Sequence, residues 1–254
     1  MAETTKDTWN PEQYKKFQEE RVRPFWDLTQ KVSYEKVFRA LDLGCGTGEL
    51  TAALQATKKI AVMLGVDGSP KMLEQCCTHQ AVGLSFLLSK IEHYAPQEAY
   101  DLIISNAALQ WVGGHTQLIP RIVGWLNPGG KLAIQMPVNF DHPSHLLADQ
   151  VAAEMGLKLR QSPVLAPEDY AQLLWENGIR KMDISMQLYL HPMNSGQDVI
   201  EWTRGTLLNH YENQLTPEKF KEFLSKYSSE LLKQIGTDRY LYTFKRLFVV
   251  AQRN

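Results

Sequence analysis

Cysteine is scarce in this chain and poorly spaced for structural use. Of three cysteines, Cys45 sits in a glycine-rich turn and Cys76 and Cys77 are adjacent. That is neither a disulfide framework nor the C-x-x-C spacing of a zinc site, and a reducing, cytoplasmic setting is expected. Long apolar runs are also missing. The stretches at 60–66 and 247–251 are strand-length, and residues 1–9 are polar with no apolar signal core, so neither a membrane span nor export is expected. Charge of one sign is lacking: 27 basic against 28 acidic residues leave a net charge of -1, so no broad field draws the chain onto nucleic acid or an anionic membrane. A small-molecule partner is expected. There is no H-E-x-x-H, and metal chemistry is not expected. Solenoid repeats and low-complexity linkers are absent too, and one domain over 1–254 suits the length.

What the sequence does contain is alternation. After a predicted helix over 11–31, apolar runs at 37–43, 60–66, 84–88, 100–105 and 131–136 read as strands. Helical patterns lie between several of them, at 49–56, 70–77 and 117–126, and the turn Asn127-Pro128-Gly129-Gly130 precedes the fifth strand. Strand–helix alternation predicts a doubly wound, mostly parallel sheet of α/β class. Residues 137–178 read as helical, broken by Pro143, Pro163 and Pro167; a strand follows at 182–190, a helical block at 198–234 and a last strand at 240–251. The short link before the last strand predicts an antiparallel edge hairpin, completing seven strands. The expected organisation is an N-terminal helical cap (1–35), a ligand-binding core (36–136), helical lid insertions with the sixth strand (137–238), and the last strand (239–254).

The strongest chemical signal is Leu41-Asp42-Leu43-Gly44-Cys45-Gly46-Thr47-Gly48, leaving the first strand, with Asp67 at the tip of the second. Glycines let a ligand touch backbone, and a carboxylate at the second strand's tip can accept from both hydroxyls of a ribose. The spacing is G-x-G-x-G rather than G-x-G-x-x-G, so the pyrophosphate cradle of dinucleotide enzymes is not written here. A nucleoside without phosphates fits better.

These residues resemble the class I S-adenosylmethionine-dependent methyltransferases, whose first motif is similar to Asp42 through Gly48 and whose second acidic residue matches Asp67. The core resemblance covers about 37–136. It narrows to the trans-aconitate methyltransferase family on Trp9-Asn10-Pro11 with Tyr14, Phe17, Glu20, Arg21, Arg23 and Pro24, on Ser105-Asn106-Ala107-Ala108-Leu109-Gln110-Trp111, on Gln135-Met136-Pro137, and on Arg246-Leu247-Phe248-Val249-Val250-Ala251. The resemblance implies a Rossmann-like methyltransferase fold with S-adenosyl-L-methionine as cofactor and S-adenosyl-L-homocysteine as product. It places Gly44, Gly46 and the Cys45 backbone around the methionine moiety, Asp67 at the ribose, Gly68, Met72 and Ile91 around the adenine and Asn106 at the methionine and sulfonium region, with Asp42 and Lys90 also counted on the cofactor side. Gln110 and Trp111 would shape the acceptor side, with Tyr14 and Arg21 closing over it. Two positions depart from the family pattern. Lys90 stands where an acidic residue usually accepts from the adenine amino group, which leaves adenine recognition to backbone or makes it looser. Trp202-Thr203-Arg204-Gly205 continues without the family's Leu-Arg-Pro, removing one acceptor-binding arginine and leaving Arg204, then Arg21, to position an acid.

The implied reaction is carboxyl O-methylation of a small acid of trans-aconitate type, a transfer that needs alignment and exclusion of water more than a base. An acyl carboxylate on a carrier protein is a competing acceptor, since an Asn-x-x-x-Gln-Trp feature like Asn106 to Trp111 occurs in the malonyl methyltransferase of biotin synthesis. A non-catalytic cofactor-binding module is a third reading. Several flanking residues have plainer readings. Trp111, Trp125, Trp175 and Trp202 read as packing residues, Arg21 and Arg23 as a solvated helix face, the charges over 218–233 as exposed, and His191 and His210 as structural.

Overall fold

Residues 18–79 and 81–254 are described by the structure, a computed structural model, with side chains described from Val22 onward. Within them the elements run α1 (Gln18–Gln30), β1 (Arg39–Leu43), α2 (Glu49–Lys58), β2 (Val62–Asp67), α3 (Pro70–Cys76), β3 (Leu84–Leu88), β4 (Tyr100–Asn106), α4 (His115–Gly124), β5 (Leu126–Pro137), α5 (Pro143–Glu154), α6 (Pro167–Glu176), β6 (Lys181–Met193), α7 (Gly196–Arg204), α8 (Asn209–Glu212), α9 (Pro217–Ile235) and β7 (Tyr240–Gln252). The strands form one seven-stranded sheet in the order β3-β2-β1-β4-β5-β7-β6. The pairs β1–β2, β2–β3, β1–β4 and β4–β5 are parallel and β5–β7 is antiparallel, so the doubly wound, mostly parallel sheet is present. Winding reverses between β1 and β4, and in such sheets ligands bind beyond the strand carboxyl ends at that point.

Local chemistry explains the elements nearest that point. Leu41 and Leu43 on β1 are fully buried, as a parallel strand covered on both faces requires. Helix α2 starts at Gly48 (φ 77°), with Glu49 in its first turn and Lys58 in its last, each sign complementing the helix dipole. Helix α3 is capped by the Ser69 hydroxyl, which accepts from the Met72 N–H, and has Pro70 at its first position.

Two compact units are distinguished. The sheet unit comprises Arg21–Pro137, Ser162–Gln187 and Arg246–Asn254; the other is built from Val138–Gln161 and Leu188–Lys245. In the second unit α9 buries Phe220, Phe223, Tyr227 and Leu231, a helical stripe, and turns its charges outward as expected for 218–233. Burying each such side chain contributes about 1.5–3 kcal/mol. The Tyr227 and Thr203 hydroxyls meet at 3.1 Å, and His191 packs among Tyr189, Trp202, Tyr242 and Phe244. His210 pairs its Nε2 with the Lys158 carbonyl at 3.0 Å.

The structure corrects four expectations. Pro143 and Pro167 open α5 and α6 instead of breaking a helix, because the missing N–H is tolerated in the first turn. The helical block over 198–234 is three helices, interrupted after Arg204 by Gly205 and restarted at Thr216-Pro217. Strand β7 is not an edge: β6 lies outside it. Residues 127–130 do not precede β5 but interrupt its pairing, which jumps from Tyr100↔Leu126 to Leu102↔Lys131. Gly130 permits this bulge, since a Cβ there would fall 2.8 Å from the carbonyl oxygens of Asn127 and Tyr100. Among the described residues no helix is long and apolar enough to cross a membrane.

Candidate active site

At the tip of β1 the chain turns sharply, with Gly44 at φ 81° and Gly46 at φ 57°, conformations that strain any side chain. The Gly44 and Cys45 N–H groups both donate to the Val66 carbonyl, at 2.7 and 3.1 Å, tying the turn to β2. A Cβ on Gly44 would lie 2.2 Å from the Ala108 methyl, whereas one on Gly46 would meet nothing within 4 Å. The first glycine therefore allows two loops to close together, and the second leaves open space against bare backbone. Asp67, at the tip of β2, accepts the Gly46 N–H on Oδ2 and the Ser69 N–H on Oδ1, both at 2.9 Å. A carboxylate offers about four lone-pair directions, and one at this strand tip can also accept from the hydroxyls of a ribose. This glycine turn with a carboxylate beside it fits S-adenosylmethionine.

Beneath the turn the chemistry differs. Asp42 is buried and accepts from the Thr51 hydroxyl at 2.6 Å, fastening β1 to α2. Burial raises its pKa to about 7; the Thr51 hydrogen bond opposes that shift and the Asp67 charge adds to it. Its side chain is thus engaged beneath the turn, 3% exposed. The Cys45 thiol is pushed up by its hydrogen bond with Cys76, by burial and by the nearby Asp42 and Asp67 charges. Gly68 lies against Lys90, whose side chain is exposed, while Ile91 is buried and its carbonyl accepts from Arg121 at 3.1 Å. Met72 is half-buried on the first turn of α3. Gly68, Met72, Lys90 and Ile91 thus gather at or just beyond the tips of β2 and β3, which pair in register through Asp67↔Leu88.

On the other side of β1, β4 ends at Asn106 and the chain enters Ala107 at φ 51°, a left-handed conformation that a non-glycine residue adopts only when its surroundings enforce it. Here the enforcing bonds are the Ala107 N–H to the Gln135 carbonyl at 2.9 Å and the Gln110 amide to the Ala107 carbonyl at 2.7 Å. Asn106 Oδ1, Gln110 Oε1 and Gln135 Nε2 are buried with no hydrogen-bond partner. Trp111 is 54% exposed and Trp175 52%, so neither is the packing residue that a tryptophan usually is; Trp202, 3% exposed, is one. His115 lies close by, but its Nδ1 meets the Tyr170 hydroxyl, its Nε2 meets the Leu109 carbonyl at 3.0 Å, and burial lowers its pKa.

The sheet unit thus brings together Gly44, Cys45, Gly46, Asp67, Gly68, Met72, Ile91, Asn106, Gln110 and Trp111 along the carboxyl ends of its strands. Arg204 ends α7 in the other unit. Tyr14 lies outside the described residues, as does the Arg21 side chain, although Arg21 itself falls within α1. Two polar residues of this edge carry no chemical role in the sequence reading: Gln135 on β5 and Arg246 on β7, 0% and 5% exposed, joined by Arg246 Nη1 donating to Gln135 Oε1 at 3.4 Å. The available signal was a polar residue inside an otherwise apolar buried run.

The methyltransferase domain family matches residues 41–134. The trans-aconitate 2-methyltransferase of Klebsiella pneumoniae (strain 342) is 37% identical over 250 residues, covering 96% of this chain and 98% of that protein. The protein of the same name from Deinococcus radiodurans is 37% identical over 258 residues, covering 97% and 98%. A solved S-adenosylmethionine-dependent methyltransferase from Mesorhizobium loti shares the fold, with TM-score 0.52, 17% identity and coverage of 90% of this chain and 97% of that one. The chain belongs to the class I S-adenosylmethionine-dependent methyltransferases, within the trans-aconitate methyltransferase family, and is an enzyme that uses S-adenosylmethionine as its cofactor.

Proposed function

We propose that the enzyme methylates a carboxylate of a small, multiply charged acid of the trans-aconitate type, releasing a methyl ester and S-adenosylhomocysteine. The observation that carries this reading is the lining of the β4 tip. Among the described residues, the groups there that lack partners, Asn106 Oδ1, Gln110 Oε1 and Gln135 Nε2, are amide atoms. The neighbouring imidazole, His115, already uses both nitrogens and is held neutral. An amine or hydroxyl acceptor needs its proton removed at some stage, whereas a carboxylic acid is already ionised at neutral pH. The names of the full-length relatives point to the same class of acceptor.

In this reading Asp67 holds the ribose, Gly44 and Gly46 present backbone to the methionine moiety, and Gly68, Met72 and Ile91 flank the adenine, with backbone replacing the acidic partner that Lys90 cannot supply. S-adenosylmethionine, when bound, supplies a methyl group already activated on a sulfonium. The chain's own residues then have to align the carboxylate oxygen with that methyl and exclude water. Well-aligned pairs gain roughly 7–11 kcal/mol from orientation. Gln110 and Trp111 would bound the acceptor.

The test is S-adenosylhomocysteine release by the purified enzyme with a panel of carboxylic acids that includes trans-aconitate, with mass detection of methyl esters. Ester formation from a di- or tricarboxylic acid is the expected result. Turnover only with an acyl carrier protein, or only with amines, would overturn the reading.

A further inference from the structure

The strand registers order the polar residues of the carboxyl edge into one row. Residues directly opposite on neighbouring strands share a face, and faces alternate along each strand. Asp42 stands opposite Gly65 on β2 and Ile104 on β4, which places Asp67 and Asn106, each two residues further on, level with one another and on the same face. Asn106 stands opposite Gln135, and Gln135 opposite Phe248, two residues from Arg246. The row therefore reads Asp67, the Gly44 turn, Asn106, Gln135, Arg246 across β2, β1, β4, β5 and β7. With strands about 4.8 Å apart, Gln135 lies roughly 14 Å and Arg246 roughly 19 Å along the sheet from Asp67.

We propose that Arg246 and Gln135 hold a carboxylate of the acceptor. The inference rests on the carboxyl-methylation reading above and gives its acceptor a place. If the cofactor's ribose is at Asp67, the side of Asn106 that faces away from it is where the acceptor belongs, and there the row offers a guanidinium and an amide rather than apolar side chains. Arg246 is buried, and its planar fork of N–H donors suits bidentate recognition of a carboxylate. Gln135 uses Oε1 to accept from Arg246, which turns Nε2, a buried donor with no partner, to the same task. Gln110 Oε1, also buried and without a partner, can accept from a protonated carboxyl or hydroxyl of the same molecule. One carboxylate held at β5 and β7 leaves a second, on the same small acid, free to meet the methyl near Asn106. This anchoring also accounts for an acidic acceptor in a chain without the family's Leu-Arg-Pro arginine.

The experiment compares wild type with Arg246→Gln and Gln135→Glu, measuring KM and kcat for trans-aconitate, or whichever acid of the panel is turned over. The Kd of S-adenosylhomocysteine by calorimetry is measured alongside. Gln135→Glu keeps the shape of the site but pairs with Arg246 and repels an anion, so it decides the question if Arg246→Gln fails to fold. Losing one charge-assisted bond corresponds to about a 10- to 150-fold rise in KM. That rise is expected in both variants, with S-adenosylhomocysteine binding within twofold of wild type; Arg246→Lys should recover part of it. An unchanged KM in a folded variant overturns the anchor while leaving carboxyl methylation standing. A wild type that turns over no carboxylic acid overturns both.

Discussion

The two ends of the site are made of different material. On the β1–β2 side the candidate surface is a glycine turn, with Gly44 and Gly46 at positive φ and Asp67 accepting two N–H groups of its own chain. On the β4–β5–β7 side it is side chain, with Asn106, Gln110, Gln135 and Arg246 buried to different degrees and Arg246 bonded to Gln135. A backbone cradle is bound to one ligand shape, because altering it disturbs the turn itself. Side chains can be exchanged without moving a strand. The division suits an enzyme that keeps one cofactor while the choice of acceptor varies.

That contrast can be broken most forcefully at Asp67. Asp67→Ala removes the acceptor proposed for two ribose hydroxyls, at about 1.5–3 kcal/mol for each charge-assisted bond, and also frees the Gly46 and Ser69 N–H groups. S-adenosylmethionine affinity measured by calorimetry should fall by about two orders of magnitude or more. Unaltered affinity would remove Asp67 from the cofactor side altogether. A smaller but more general effect belongs to Gly44→Ala, whose new methyl meets Ala108 at 2.2 Å with φ at 81°. Strain of about 1–3 kcal/mol should lower the melting temperature by several degrees, with cofactor affinity dropping in parallel. A variant that melts like wild type would show that the two loops separate easily and that the turn is less fixed than the registers imply.

How far each end could be read from sequence follows from the same difference. A backbone cradle needs glycines close together, so Gly44, Gly46 and the following Asp67 are legible as a local pattern, and the strand–helix alternation around them predicts the parallel half of the sheet. Gln135 and Arg246 are separated by most of the second half of the chain and become neighbours only because β7 inserts between β5 and β6. An expectation of β7 at the edge hides that neighbourhood. Pro143 and Pro167 mislead for a related reason: proline ends one helix and begins another with equal ease, and only the caps around it distinguish the two. The exposure of Trp111 is likewise invisible in a residue type that is mostly buried.

The smallest expected effect concerns the joint beneath the cradle, and its sign depends on pH. Asp42, whose pKa burial raises to about 7, keeps a proton in the folded protein that the unfolded chain, titrating near 4, gives up. As pH rises from about 4 to 7 the unfolded state binds fewer protons than the native one, so stability falls across that window and levels off above it. Asp42→Asn cannot titrate, and its amide oxygen still accepts from the Thr51 hydroxyl that Asp42 engages at 2.6 Å. The melting temperature of Asp42→Asn relative to wild type should therefore climb by several degrees between pH 5 and pH 8, with most of the change below about pH 7. Cofactor affinity should move far less than in Asp67→Ala, because the Asp42 side chain is buried and engaged by Thr51. A melting difference that stays flat with pH would mean that Asp42 is ionised throughout, and its place would shift from the support beneath the cradle to the charged surface that binds.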